Sequence, residues 1–257
     1  MSGAASKVLV EQEGAILIVT INRPDRRNAI DRETSLALAE AMDRLDADPE
    51  LSLAILTGAG EHFCAGMDLK AFVGGERIEL PGRGLAGMIQ TPPAKPLIAA
   101  VEGYALAGGF EIALACDLIV ASGTACFGLP EVKRGLIAGS GGLVRLPERM
   151  PRQIAMECAM TGRMIEAAEA ERWGLINRLC APGTALEAAR ALGAEIARNA
   201  PLSLTASKQI VVNAGRWPES DLWARQNEIL ERVIASEDAR EGASAFAEKR
   251  APVWKGR

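Results

Sequence analysis

Short apolar runs, set apart by helix-sized stretches, constrain this chain more than any other feature. Residues 15–21 (Ala-Ile-Leu-Ile-Val-Thr-Ile) show no polar alternation and suit a strand buried on both faces. Residues 51–58 and 96–103 read as further strands, each closing on a glycine, and residues 117–121 as another. Between the first two, residues 31–45 carry Leu36, Leu38, Ala39, Met42 and Leu45 near helical spacing. Residues 108–116 predict a second helix. Strands that alternate with helices need crossover connections, so the fold class is α/β.

The ends of the chain differ from this middle. Residues 7–10 and the Glu-Gly turn after them predict an opening hairpin with residues 15–21. From about Gly141 the pattern is helix after helix, at 141–148, 152–160, 166–172, 184–198, 202–214, 219–235 and 237–248. Residues 71–91, broken by Gly74, Gly75, Pro81 and Gly82, predict a mobile segment with a short helix. Arg198-Asn199-Ala200-Pro201 reads as a boundary, dividing a core at 1–199 from a helical region at 200–257.

Composition removes several function classes. A formal net charge of −4 gives no general basic field for nucleic acid. No apolar run reaches membrane-spanning length, and residues 1–7 lack a signal-peptide core and read as mature protein. The five cysteines are odd in number and form no CxxC, which argues against a disulfide framework or a zinc site and for the cytoplasm. His62 is the only histidine, so histidine-rich metal sites are unavailable and a serine–histidine triad would need this one residue. Its polar Gly60-Glu61-His62 setting favours a loop residue.

The chemistry concentrates in two glutamates beside glycine-rich turns. Glu111 follows Ala107-Gly108-Gly109-Phe110, and Glu131 lies between Phe127-Gly128-Leu129-Pro130 and Gly139-Ser140-Gly141-Gly142. A third small-residue stretch is Cys64-Ala65-Gly66-Met67. Paired carboxyls can act as general acid and base. Glycine turns that open helices can aim two N–H groups at a developing negative charge. From the residues alone, each turn can equally be only a turn. Glu111 can be an exposed helix residue, and Glu131 a partner of Lys133 or Arg134.

The ordered segments Asn22-Arg23-Pro24, Asn28-Ala29, 63–70, 96–117, 127–142, 160–163, 167–177 and 246–250 together resemble the crotonase (enoyl-CoA hydratase/isomerase) family over nearly the full chain. The resemblance implies an α/β crotonase (ClpP-like) spiral of ββα units with a C-terminal helical trimerisation region. It implies reversible hydration of a 2-enoyl-CoA, with Glu111 activating water and Glu131 donating a proton to C2. It places the oxyanion hole at the N–H groups of Met67 and Gly108, and assigns Gly139 to orienting the water or a glutamate. Coenzyme A, as part of the substrate and not a cofactor, would meet Arg26, Arg27, Ala65, Lys70, Phe246 and Lys249, the last two reaching a neighbouring subunit's ligand. The assembly implied is a homotrimer or a dimer of trimers, with neither nucleic acid nor membrane as partner. The chain departs from the family where a proline usually precedes Gly139; it has Ala138. Two sibling reactions stay open: a carnitinyl-CoA dehydratase, for which Glu76 or Glu79 could face a cationic acyl group, and an enoyl-CoA isomerase. A non-catalytic acyl-CoA-binding scaffold is the reading from another class.

Overall fold

A hairpin begins the chain: β1 (Val8–Glu13) pairs antiparallel with β2 (Ile16–Ile21) across a turn in which Gly14 has a φ of +57°. The computed structural model describes residues 6–257, so most of the segment read as a mature N-terminus lies outside the described residues. α1 (Arg32–Ala47) starts at Asp31, whose carboxylate accepts the Thr34 N–H at 2.9 Å and caps the helix. β3 (Leu53–Gly58) follows, then α2 (Leu69–Val73), capped by Asp68. After an irregular stretch with a 3-10 turn at Leu85–Gly87 come β4 (Leu97–Val101), β5 (Tyr104–Leu106), α3 (Gly108–Ala115), β6 (Leu118–Ser122) and β7 (Cys126–Gly128). The remainder runs α4 (Gly142–Arg149), α5 (Arg152–Thr161), β8 (Met164–Glu166), α6 (Ala167–Arg172), β9 (Arg178–Cys180), α7 (Ala185–Ala197), α8 (Pro201–Asn213), α9 (Leu222–Ile234) and α10 (Glu237–Glu248).

The strands form two mixed sheets. The larger has the order β1-β2-β3-β4-β6-β9, and every pairing after the hairpin is parallel. Period-2 geometry sends alternate side chains to opposite faces. Leu17, Val19, Ile21, Leu56 and Val101 join one core, while Ile16, Ile18, Leu53, Ile55 and Val120 pack against Ala185 and Ala189 of α7. Both faces are dry, which explains apolar runs without alternation. Each buried Leu or Ile contributes about 1.5–3 kcal/mol through the water it sheds.

The smaller sheet, β5-β7-β8, positions the chemistry. β5 delivers the chain to the N-terminus of α3, and parallel β7 delivers it to Glu131 in the turn Pro130–Arg134. The predicted helices all occur, within a few residues of their expected ends. The short strands β5, β7, β8 and β9 are additions to the sequence reading.

The last three helices stand largely outside this body. Lys208 of α8 ties them to it through Asp117 (Nζ–Oδ2 2.6 Å) and the Lys95 carbonyl (2.9 Å), and Trp254 donates its indole N–H to the Arg198 carbonyl. Of the apolar side chains on these helices, Ile229 is buried, but Val211, Trp223 and Ile234 are exposed. Among the described residues no helix is long and apolar enough to cross a membrane.

Candidate active site

Backbone donors define the site. From Phe63 to Asp68 each N–H except one has an acceptor among the described residues. Phe63 donates to Glu102 O, Cys64 to Tyr104 O, Ala65 to Arg27 O, Gly66 to the Cys64 sulfur and Asp68 to Ile30 O. The N–H left over is that of Met67. A second free N–H opens α3: Ala107 donates to Gly128 O, and Phe110 and Glu111 donate to Ala107 O, while Gly108 has no acceptor among the described residues. A helix N-terminus leaves its first N–H groups unpaired and attracts negative charge.

The two turns converge. A Cβ added at Gly66 would lie 2.9 Å from the Gly108 nitrogen, and one added at Gly108 would lie 3.4 Å from the Met67 nitrogen. Only glycine allows this approach, and Gly66 also has a φ of +98°. Ala107, the residue that turns the chain into α3, has φ +50° and ψ −128°. That conformation costs a non-glycine residue on the order of 1–3 kcal/mol. The strain sits at the residue that sets the direction of the Gly108 N–H.

Glu111 lies on the first turn of α3 and is 3% exposed. The exposed-helix alternative is therefore removed. Its Oε1 accepts the Gly142 N–H at 2.8 Å, across from the start of α4. Burial is the main force on its acidity and pushes its pKa up to about 7; the nearby carboxylates of Glu131 and Glu79 push the same way, against the N–H groups of Gly142 and Ser140. Glu131 is half-buried, and burial raises its pKa too, opposed by its own N–H and Arg134. It forms no ion pair with Lys133 or Arg134, and its Oε2 is buried without a hydrogen-bond partner among the described residues. A buried orphan acceptor is costly, and such atoms gather where a reactant completes the bonding.

Two cavities open near the carboxyls. One cavity of about 560 Å³ runs past Glu131 and is lined mainly by apolar groups, among them Leu136, Ile137, Ala138, Met156 and Met160. The other, of about 340 Å³, is bounded by Glu79, Leu85, Ser140, Gly141, Arg145 and Arg216, with Gly139 in its wall. Ser140 Oγ donates to Glu79 Oε1 at 3.2 Å. Glu76, the other acid considered from sequence, is spent elsewhere: it accepts the Arg32 N–H at 2.6 Å.

The remaining expected residues divide. Ala65 adjoins the Met67 turn, and Arg27 sits 5.8 Å from the Tyr104 ring centroid. Arg26, Arg27 and Lys70 are exposed and form no ion pair among the described residues. Phe246 and Lys249 end α10, which packs on α9, and no described contact joins them to that group. Gly139 gives its N–H to no acceptor among the described residues; the donor on Glu111 is Gly142, which sequence reasoning missed. His62 is a structural loop residue: its ring stacks on Tyr104 at 4.4 Å and accepts the Tyr104 N–H.

Comparison with known proteins is consistent with this geometry. The sequence matches the description "Enoyl-CoA hydratase/isomerase" over residues 11–257. A carnitinyl-CoA dehydratase from Salmonella typhi is 46% identical over 255 residues, covering 96% of this chain and 97% of the relative. The crystal structure of an enoyl-CoA hydratase from Mycobacterium tuberculosis is similar with a TM-score of 0.97 at 57% identity, covering 98% of this chain and 100% of that one. A carnitinyl-CoA hydratase from Mycobacterium avium is similar with a TM-score of 0.79 at 46% identity, over 99% and 100% of the two chains.

Proposed function

The chain belongs to the enoyl-CoA hydratase/isomerase (crotonase) family, and from that premise we propose that it adds water reversibly to a 2-enoyl-CoA, giving the 3-hydroxyacyl-CoA. The observation that carries this reading is the pairing of two raised-pKa glutamates with two unengaged, converging N–H groups. The thioester oxygen docks at the Met67 and Gly108 N–H groups. Glu111, ionised and aimed by Gly142, takes a proton from water as the water oxygen bonds to C3. Electron density moves from the C2–C3 double bond to the thioester oxygen, where the two donors stabilise the enolate. The enolate then takes the Glu131 proton at C2. Water has been added, and one proton has passed from Glu131 to the product while another has arrived on Glu111.

The assay is loss of the conjugated enoyl-thioester absorbance on crotonyl-CoA, with product identified as the 3-hydroxy compound. Turnover of a 3-enoyl-CoA to the 2-enoyl isomer with no hydration would overturn the proposal in favour of an isomerase. No turnover with retained acyl-CoA binding would favour the scaffold.

Glu79 favours a second reading on the same chemistry. It lines the smaller cavity beside Ser140, and its carboxylate is close enough to act on Glu111, so it could neutralise a quaternary ammonium on the acyl tail. Arg145 in that wall already donates to the Ile89 carbonyl, and Arg216 is exposed. The discriminating comparison is 4-trimethylammoniocrotonyl-CoA against its neutral tert-butyl isostere. A preference of about tenfold or more for the cation, as a desolvated ion pair provides, would identify a carnitinyl-CoA dehydratase-like enzyme. Equal turnover would leave the simple hydratase.

We further propose a homotrimer or a dimer of trimers, in which residues 200–257 cover a neighbour. Trp223, Ile234 and Phe246 are 68%, 62% and 88% exposed. That much aromatic and aliphatic surface marks an interaction face. Phe246 and Lys249 would then reach the neighbour's coenzyme A. Light scattering at micromolar concentration should give at least three times the mass of one chain; a stable monomer would contradict the assembly and the placement of Lys249.

A further inference from the structure

The Met67 N–H is held in place by its two neighbours. Ile30 donates to Gly66 O at 2.8 Å, and Asp68 donates to Ile30 O at 2.8 Å, so the chain is gripped on either side of Met67. The Asp68 side chain is gripped in turn. Its Oδ1 accepts the N–H groups of Lys70 (3.1 Å) and Ala71 (3.3 Å) at the start of α2. Its Oδ2 accepts from Arg23 Nη2 at 2.9 Å. The same guanidinium donates to the Ala29 carbonyl and reaches Asp31 Oδ2 at 3.1 Å. Arg23 is only 13% exposed, so this is a largely dry, forked contact of the kind arginine makes and lysine cannot copy.

Charge accounting shows where the guanidinium matters. Asp31 has other partners: Lys7 at 2.8 Å and both the N–H and hydroxyl of Thr34. Asp68 has no cation but Arg23 within ion-pair distance among the described residues. Loss of Arg23 thus falls mainly on Asp68, one residue from the free N–H. The loop bearing Arg23 is itself fixed from below, since buried Asn28 accepts the Arg23 N–H and donates to the carbonyls of Ala59 and His62.

We propose that Arg23 is a positioning residue for the oxyanion hole, acting through Asp68 to aim the Met67 N–H. This rests on the assignment of that hole under the proposed function. Arg23 touches no reacting atom. Its effect is on the stabilisation of the enolate, not on acyl-CoA affinity.

The test uses the full-length protein and a chromophoric conjugated thioester, 4-(dimethylamino)cinnamoyl-CoA. Two donors on its carbonyl oxygen polarise it and shift its absorption to longer wavelength. Wild type should produce that red shift. Arg23→Met should bind the probe with affinity within about threefold of wild type, show a much smaller shift, and lose roughly 10- to 100-fold in kcat with KM little changed, the scale of a small misalignment. Arg23→Lys, which keeps a charge for Asp68 without the second arm to Ala29, should recover part of both signals. Asp68→Asn, which keeps the cap on α2, should reproduce the reduced shift, and the double variant should be no worse than the poorer single one. Should Arg23→Met fail to fold, the Arg23→Lys and Asp68→Asn shifts decide. A folded Arg23→Met or Asp68→Asn protein with the wild-type red shift would overturn the role of Arg23, and so would a kcat loss matched by lost probe affinity. No red shift in wild type would instead remove the oxyanion hole, and the positioning role with it.

Discussion

Glu111→Gln and Glu131→Gln should each lower hydration by several orders of magnitude, while affinity for a saturated acyl-CoA stays near wild type. General acid and base groups are commonly worth about 10²–10⁴-fold apiece. Glutamine keeps the shape of the side chain and, at position 111, an oxygen for the Gly142 N–H. What it lacks is the ability to take or give the proton. If either variant kept more than about a tenth of wild-type turnover, a loss below ~1.4 kcal/mol, that residue would not be part of the acid–base machinery.

The same substitution has a stability signature with a definite sign. Burial raises the Glu111 pKa from 4.5 to about 7, so the folded state holds a proton that the unfolded chain releases near 4.5. Stability from this group is fully present below 4.5 and is lost as pH rises through 7. The shift corresponds to roughly 3 kcal/mol. Glu111→Gln removes this dependence: it should be close to wild type in stability near pH 4 and more stable at pH 8. Denaturant titrations at both pH values check it, and a stability difference that does not change with pH would refute the buried, proton-holding carboxyl. The acid limb of kcat/KM should fall near pH 7 for the same reason, since Glu111 must lose its proton to accept one from water.

How much of this was readable beforehand depends on the length scale of the signal. β2, β3 and β4 are dry on both faces, and their unbroken apolar runs carry that fact in the residues themselves. Helix α1 announces itself through Asp31 and a stripe of apolar residues, of which Leu38, Ala39, Met42 and Leu45 are buried and Leu36 is not. The strands β5, β7, β8 and β9 have three residues each, too few for a period-2 pattern to emerge. The glutamate pair and the two glycine turns were visible as residue types. Their use was not. Which N–H points at Glu111 is a matter of where α4 begins relative to α3, and the loop 139–142 holds three glycines among its four residues, any of which reads equally well as the donor. From sequence, Gly139 is read as orienting the water or the second glutamate, Glu131, and the bond from Gly142 to Glu111 has no counterpart in that reading. The positive φ of Ala107 gave no signal at all, because alanine ordinarily avoids it. The same holds for Arg23: its Asn-Arg-Pro setting carries part of the resemblance, but its partner, Asp68, lies 45 residues along the chain.

Gly108→Pro tests the hole by deleting a donor, and its control is Gly108→Ala. Proline has no N–H, so the variant leaves Met67 as the only backbone donor for the enolate oxygen. Position 108 is the first residue of α3, where proline is tolerated by a helix because that N–H bonds nothing within it. Two other costs accompany the change. A Cβ at Gly108 meets Leu85 Cδ2 at 2.5 Å, so that flexible side chain must move. Ala107, already at positive φ, precedes the new ring and loses freedom. Alanine carries the first cost and keeps the N–H. The expected result is therefore a graded one: Gly108→Ala is impaired by the Leu85 contact but active, and Gly108→Pro loses a further ~10²–10³-fold, the usual worth of one oxyanion donor. The loss should appear in kcat, because the donor acts chiefly once charge has developed on the thioester oxygen. Circular dichroism and a saturated acyl-CoA affinity near that of Gly108→Ala would establish that the proline variant is folded. A folded proline variant as active as the alanine variant would eliminate Gly108 as a donor. The two glutamates would then act beside a hole built from other groups, because an enolate in a site this apolar needs more than one hydrogen bond to form at a useful rate.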